Sequence, residues 1–401
     1  MCVVVRAGLS GDNGTREKCS GGSTDHSHAT LPGAGTAAES GDPGVAPVFR
    51  RVPDVDTERA RHCLTFRGEA NMRAADGHVE RDASGPFAKS RTPDGPAQCR
   101  RRASRTIQYG MPSELHRFPS LVTVAWLAQR IARPGVRPVD ASWYLASAQR
   151  DPRAEYETAH IPGAVFFDLD ASSDQSTSLP HMLPASEEFA ARMSALGVSD
   201  SDEIVVYDGS GVNLSAPRVW WMFRVFGHRA TAVLDGGFGA WRAAGLPVES
   251  GVVTPPPGTF TAHLDASRVR DLSAMRANVD TRREQMIDAR SSGRFTAEQQ
   301  EPRPGLRGGH IPGSRSLPYT DLVAPNGAVR PRDELRAMFD AAGVDLERPI
   351  VASCGSGVTA CCLVLALDLL GAPNVSVYDG SWTEWGGLTD TPIETGPART
   401  Y

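Results

Sequence analysis

The hydrophobic pattern from about residue 117 onward alternates between two kinds of segment. Short runs rich in apolar and β-branched residues, such as 204–207 and 349–353, predict buried β-strands. Longer runs with apolar positions three and four residues apart, such as 185–197 and 331–343, predict amphipathic helices. Strands that alternate with helices are typical of a parallel sheet with helices on both faces. The pattern therefore predicts an α/β fold.

This part of the chain also repeats itself. Three landmarks return in the same order: HIPG at 160–163 and 310–313, IVVYDGSG at 204–211 and PIVASCGSG at 349–357, and LDGGFGAW at 234–241 and YDGSWTEW at 378–385. Ordered self-similarity of this kind indicates a duplicated structural unit. We expect tandem α/β domains, each a parallel sheet with helices on both faces.

Composition divides the chain into segments. Residues 1–110 contain no tryptophan and few other large apolar side chains, and they cannot bury enough surface to offset the conformational entropy of folding. We predict a disordered extension there. A start codon assigned too far upstream of Met111 would add such a segment as well, and both interpretations stay open. The first domain is placed at 117–250, a proline-rich linker at 251–278 and the second domain at 279–401.

Charge and cysteine content exclude several functions. The chain has 42 basic and 47 acidic residues and a net charge of −5, which is unlike a nucleic-acid-binding surface. No apolar run approaches the roughly 18 residues of a membrane span, so we predict a soluble protein with no nucleic-acid or membrane partner. Seven cysteines include the adjacent Cys361 and Cys362 and form no disulfide framework. The odd count and the lack of a secretory signal favour a cytoplasmic location.

One cysteine stands where a buried strand runs into a helix. Cys354 lies in SCGSGVTA, and Gly355 and Gly357 allow a tight turn whose backbone N–H groups point inward. Such a turn at a helix N-terminus favours an anion at its centre. We therefore expect Cys354 to be a thiolate near neutral pH and to act as a nucleophile.

Phosphatases also use a cysteine in an anion-binding loop, followed five residues later by an arginine that holds phosphate. Position 360 of this chain is alanine. Without a guanidinium group there is no bidentate clamp for a phosphoryl group. The sequence therefore argues against a phosphatase.

Taken together, these motifs resemble the two-domain rhodanese-like sulfurtransferases over residues 117–395. The resemblance includes Asp208, which replaces the cysteine in the first repeat. The loop CGSGVT is similar to that of 3-mercaptopyruvate sulfurtransferases, whereas thiosulfate-preferring rhodaneses typically carry basic residues there. The resemblance implies that Cys354 takes sulfur from 3-mercaptopyruvate as a persulfide and releases pyruvate. It further implies a small thiol, cyanide or a thioredoxin-like protein as acceptor, and no metal or organic cofactor.

The resemblance also implies roles for other residues. Arg294 and Arg303 match the substrate-binding arginines of the family, and planar guanidinium groups suit the carboxylate and carbonyl of a 2-oxo acid. Asp170, His181 and Ser356 match a relay that handles a proton as the carbon–sulfur bond breaks. The loop residues expected to bind substrate are Gly355, Gly357, Val358 and Thr359.

Two alternatives stay open at this point. A thiosulfate:cyanide sulfurtransferase has the same fold, but its doubly charged donor would favour cations in the loop, and this loop has none. A non-catalytic rhodanese-like module could bind a partner or sense oxidants through Cys354. It would react at Cys354 without releasing pyruvate. His160 and His310, which begin the two HIPG copies, are expected to fix a turn.

Overall fold

The computed structural model describes residues 118–399. These residues form two five-stranded sheets in which every pairing of neighbouring strands is parallel, and the predicted fold class is confirmed. No helix in the described range is long and apolar enough to cross a membrane. The extension predicted at 1–110 and the start proposed at Met111 lie outside this range.

The first sheet is built from short, buried strands separated by helices. Its elements in chain order are β1 (Leu121–Val122), α1 (Val124–Ala128), β2 (Val136–Asp140), α2 (Pro152–Thr158), β3 (Val165–Phe166), α3 (Ser186–Ala195), β4 (Glu203–Tyr207), α4 (Ala216–Val225), β5 (Thr231–Leu234) and α5 (Gly237–Ala243). The strands lie side by side in the order β1-β5-β4-β2-β3. A short 3-10 turn at Ala146–Ala148 follows β2.

The second sheet repeats this order. Its elements are β6 (Val269–Arg270), α6 (Leu272–Thr281), β7 (Gln285–Asp288), α7 (Ser292–Thr296), β8 (Arg315–Ser316), α8 (Arg332–Ala341), β9 (Ile350–Ser353), α9 (Ala360–Leu370), β10 (Val375–Tyr378) and α10 (Ser381–Trp385). The strand order is β6-β10-β9-β7-β8. Further 3-10 turns lie at Ala266–Arg268 and Tyr319–Leu322.

Helices α4 and α9 join the two domains. Both are apolar on nearly every side, and an all-round apolar helix is buried. They pack against each other within a single hydrophobic core that includes residues of both sheets. Trp220 and Trp221 of α4 are part of this core. The contact brings the carboxyl-end loops of the two sheets to a shared cleft, where ligands of open parallel sheets commonly bind.

The start of the second domain differs from the sequence prediction. Part of the predicted linker 251–278 forms β6 and most of α6, and β6 pairs with β10 of the second sheet. The hydrophobic pattern of this segment is a weak signal, because β6 has only two residues and α6 buries only Met275 and Asn278. Residues 251–265 contain no helix or strand, and within them Phe260 packs into the core.

Candidate active site

Cys354 begins the loop between β9 and α9 and is buried, with 1% of its surface exposed. Its backbone N–H donates to Ser381 Oγ at 3.2 Å, and its carbonyl accepts from Trp382 N at 3.0 Å. The carbonyl of Gly355 accepts from Thr383 N at 2.9 Å. The start of α10 thus holds the cysteine loop from one side.

The loop leaves a set of backbone donors unpaired. Within residues 118–399, the N–H groups of 355–359 donate to no protein acceptor. In the first domain, the equivalent turn is filled by the carboxylate of Asp208, which accepts from the backbone N–H groups of Ser210, Ser215 and Ala216 at 2.9–3.0 Å. This anion shows what such a turn accommodates, and it supports the prediction that the Cys354 turn favours a negative charge.

His181 connects Ser356 to Asp170. Its Nδ1 lies 2.9 Å from Ser356 Oγ, and its Nε2 lies 3.0 Å from Asp170 Oδ1. The hydrogen bond with His181 lowers the pKa of Asp170, which is therefore an ionised acceptor near neutral pH. This assigns the ring proton to Nε2, so Nδ1 accepts a hydrogen bond from the Ser356 hydroxyl. Trp143 Nε1 also donates to the Asp170 carboxylate, at 3.2 Å.

The three relay residues come from two domains. Asp170 and His181 lie in the loop between β3 and α3 of the first domain, and Ser356 lies in the loop of the second domain. The geometry therefore exists only when the two domains are packed together. The role predicted for the three residues stays a prediction, but the structure brings them into hydrogen-bonding contact.

Two arginines lie over the cysteine loop. A Cβ atom at Gly355 would be 3.2 Å from Arg294 Nη2 and 3.7 Å from Arg303 Nη1. Arg294 is held by the buried Glu301, which also accepts from Arg290 at 2.7 Å. Arg303 donates to Ser356 Oγ at 3.4 Å, and burial lowers its pKa, although a guanidinium stays protonated in proteins. The cleft therefore presents positive charge beside the cysteine.

These residues enclose a cavity of about 330 Å³. Cys354 and the two arginines form its polar wall, and Trp143 and Tyr319 belong to its apolar wall. Burial raises the pKa of Tyr319 to about 12, so its hydroxyl stays protonated near neutral pH. A cavity of this size suits a small substrate.

The predicted loop residues divide into two groups. Gly355, Val358 and Thr359 line the cavity together with Ser356. Gly357 does not line it and instead faces the opposite direction, where a Cβ atom would lie 2.9 Å from the carbonyl oxygen of Asp379. Its φ of 76° is in the left-handed region, which glycine adopts without strain.

The two HIPG histidines lie away from this cavity. Nδ1 of His160 bonds to the carbonyl of Tyr156 at 2.8 Å, and Nδ1 of His310 bonds to the carbonyl of Phe295 at 2.9 Å. Each imidazole stacks on the ring of the same residue. Both are completely buried, which fits the structural role that duplication in the cysteine-less repeat suggested.

Sequence reasoning missed several residues of the site. Trp143 follows the carboxyl end of β2, a position from which a ligand-site residue could have been suspected. Glu301 lies two residues before Arg303 and has no sequence signal of its own. Arg218 is a charged residue in an otherwise apolar part of α4, and a fully buried arginine needs acidic or carbonyl partners. Asp379 is part of the repeated landmark YDGSWTEW.

Known proteins resemble most of the described residues. The rhodanese-like domain family matches residues 123–244 and 271–388. The 3-mercaptopyruvate sulfurtransferase of Rattus norvegicus is 47% identical over 273 residues, which cover 67% of this chain and 92% of that protein. The mitochondrial thiosulfate/3-mercaptopyruvate sulfurtransferase 1 of Arabidopsis thaliana is 46% identical over 296 residues, which cover 69% of this chain and 78% of that protein. The crystal structure of SseA from Escherichia coli matches with a TM-score of 0.61 and 43% identity. The match covers 66% of this chain and 98% of that chain.

Proposed function

The chain belongs to the rhodanese-like sulfurtransferases, and we propose that it moves sulfur from 3-mercaptopyruvate to an acceptor through a persulfide on Cys354. The family predicted from the sequence motifs is thereby confirmed. The role of each site residue is our proposal, and it is supported by the contacts around the cavity.

The first half-reaction takes place at the sulfur atom of the donor. The Cys354 thiolate attacks this sulfur, an S–S bond forms and the carbon–sulfur bond breaks. The electron pair of the broken bond leaves on carbon as the enolate of pyruvate. The proton that the donor thiol carried ends on this carbon, which gives pyruvate and a cysteine persulfide. The unpaired N–H groups of residues 355–359 stabilise the negative sulfur before and after transfer.

The relay places the proton that this step requires. Ser356 Oγ lies between Arg303 and His181, and His181 is oriented by the carboxylate of Asp170. A proton accepted by His181 through Ser356 can be returned to the enolate carbon within the same site. Arg294 and Arg303 bind the carboxylate and carbonyl of the donor and disperse the charge that develops on the enolate oxygen.

The relay is the observation that favours 3-mercaptopyruvate over thiosulfate. Transfer from thiosulfate releases sulfite, a stable anion that needs no proton on carbon. Cleavage of a carbon–sulfur bond produces an enolate, which must receive a proton on carbon. A hydrogen-bonded Ser356–His181–Asp170 arrangement is therefore useful for the first donor and unnecessary for the second.

In the second half-reaction, a nucleophilic acceptor attacks the outer sulfur of the persulfide. The S–S bond breaks, and the electron pair returns to Cys354 as thiolate. Cyanide, a small thiol or a thioredoxin-like protein would serve as acceptor. We place the reaction in the cytoplasm, since the cysteine use indicates a reducing compartment. The Arabidopsis relative is named mitochondrial, so fractionation of the source cells is the test of this placement.

The proposal is tested by measuring turnover with 3-mercaptopyruvate and with thiosulfate side by side. Pyruvate release should be faster than thiosulfate turnover in the wild type and absent in Cys354→Ser. Mass spectrometry of the wild type treated with donor alone should show one added sulfur on the peptide containing Cys354. His181→Ala should lower pyruvate release by about a hundredfold or more and leave thiosulfate turnover little changed.

The alternatives give different results. Preference for thiosulfate would assign the chain to the sister activity, and the relay argument would be wrong. Oxidation of Cys354 without turnover of either donor would support a sensor or binding module.

A further inference from the structure

Arg218 links the two loops that form the relay. It lies in the first turn of α4 and is fully buried. Its guanidinium donates to the carbonyl of His181 in the first domain and to the carbonyl of Gly357 in the second, the latter at 3.3 Å. It also pairs with Asp379 at 2.8 Å. One side chain therefore contacts the backbone on both sides of the His181–Ser356 hydrogen bond.

Asp379 completes this arrangement from the second domain. It follows β10, and its other carboxylate oxygen accepts from Leu183 N at 2.8 Å. The backbone on either side of Met182 is thus held by the ion pair, with the His181 carbonyl on Arg218 and the Leu183 N–H on Asp379. The pair connects the two domains directly behind the relay histidine.

The backbone of His181 needs such support. Its φ of 62° is in the left-handed region, which residues other than glycine adopt rarely. An observed conformation of this kind persists where surrounding contacts determine it. Here the His181 carbonyl accepts from Arg218, the Met182 carbonyl accepts from Asp174 N at 2.9 Å, and the Leu183 N–H donates to Asp379. The resulting conformation aims Nδ1 of His181 at Ser356 Oγ.

We propose that Arg218 and Asp379 are positioning residues that orient His181 toward Ser356. The proposal rests on the proposed function, since it concerns the relay of that site. Neither residue lines the substrate cavity, and Arg294 and Arg303 do not contact the pair. Loss of the pair should therefore lower kcat with 3-mercaptopyruvate while leaving KM nearly unchanged.

Buried ion pairs add little net stability in many proteins. Burying two charges removes them from water, and well-packed apolar residues can replace a buried pair without loss of stability. Removing only one partner leaves an uncompensated charge in the core. Stability and positioning can therefore be separated by replacing both residues together.

The first experiment combines Arg218→Lys with His181→Ala. Lysine keeps the positive charge but cannot reach three acceptors with a planar fork. We expect Arg218→Lys to lower kcat by about tenfold or more, because small displacements of reacting groups are costly. In the His181→Ala background the same substitution should change kcat by less than about twofold, because the residue on which it acts is gone. If the two substitutions lowered kcat independently, so that their effects multiplied in the double variant, the proposal would be overturned.

The second experiment compares Arg218→Met/Asp379→Leu with a matched control pair, Arg270→Met/Glu284→Leu. The control removes a partly buried ion pair within the second domain, and neither of its residues lines the cavity. Both double variants should be folded at the assay temperature, the first with the lower melting temperature because the carbonyls of His181 and Gly357 and the Leu183 N–H lose their partners. Only the first should lose pyruvate release. Equal loss in both, or full activity in the first, would overturn the positioning role.

A third measurement separates the cysteine loop from the relay. The rate at which iodoacetamide alkylates Cys354 reports the loop, which Arg218 also touches at Gly357. We expect alkylation in Arg218→Lys within about twofold of the wild type. A decrease that parallels kcat would mean that Arg218 acts on the loop and not on His181. A wild type without pyruvate release would overturn both this proposal and the proposed function, whereas an active wild type with multiplying effects overturns the positioning role alone.

Discussion

Asp140 and Asp288 occupy equivalent positions at the carboxyl ends of β2 and β7, but their surroundings differ. Asp288 pairs with Arg290 at 2.6 Å, with the guanidinium buried beside it. Asp140 is equally buried and accepts from Ser142 N at 2.9 Å, with no cation bonded to it among the described residues. Burial raises the pKa of Asp140 from 3.8 to about 6. The carboxyl group of the first domain therefore takes up its proton at a higher pH than an ordinary aspartate does, although it is mostly ionised at pH 7.

This difference predicts a pH dependence of stability. Because the pKa of Asp140 is higher in the folded protein than in the unfolded chain, the folded state binds its proton more tightly. Stability from this group is therefore greatest below the unfolded pKa of 3.8 and falls as pH rises toward about 6. Over this range the free energy of unfolding of the wild type should fall by up to about 3 kcal/mol relative to that of Asp140→Asn. Urea unfolding of both proteins at a series of pH values measures this, and a constant difference would contradict it.

Asp208 should matter for stability because its carboxylate fills the turn of the first domain. Asp208→Ala leaves three backbone N–H groups without an acceptor in a buried loop, and we expect the free energy of unfolding to fall by about 2 kcal/mol or more. Asp151→Ala serves as the control, since Asp151 accepts from two backbone N–H groups at the exposed start of α2. The control should lose about 1 kcal/mol. Equal losses in urea unfolding would mean that burial of the turn is unimportant.

The two glycines of the cysteine loop should respond differently to alanine. Gly355→Ala places a methyl group against the flexible end of Arg294, so KM should rise several-fold with little change in melting temperature. Gly357→Ala forces a left-handed backbone on alanine and brings Cβ to 2.9 Å from the Asp379 carbonyl. It should destabilise the protein by at least about 1 kcal/mol and lower kcat. If both variants changed KM and stability alike, the assignment of Gly355 to the cavity side of the loop and Gly357 to the opposite side would be wrong.

Arg303 should act mainly in binding the donor. Among the described residues it bonds to Ser356 and to no carboxylate, which leaves its charge available to the carboxylate of 3-mercaptopyruvate. Arg303→Gln should raise KM by about tenfold to a hundredfold, the usual effect of losing a charge-assisted hydrogen bond. Arg276→Gln, which removes a surface ion pair with Asp390, should leave KM unchanged. If kcat fell while KM stayed constant, Arg303 would act on the transition state alone and not in binding the donor.

The repeat, the fold class and the cysteine loop could be predicted from the sequence because their signals are local. The run 204–207 is apolar and β-branched, and Gly355 and Gly357 stand directly beside Cys354. The strand–turn–helix arrangement around Cys354 matched this expectation. The boundary at residue 279 could not be placed correctly because β6 is too short to produce a period.

The contacts of the site depended on tertiary structure. His181 and Ser356 are 175 residues apart, and only the resemblance to a family connected them before the structure did. Nothing near Arg218 in the sequence indicates that it bonds to His181, Gly357 and Asp379. The physical reason is that a sequence pattern specifies which face of a helix or strand is buried, whereas the partners of a buried side chain depend on how separate elements pack. Here the packing of α4 against α9 brings the loops of two domains into one cleft.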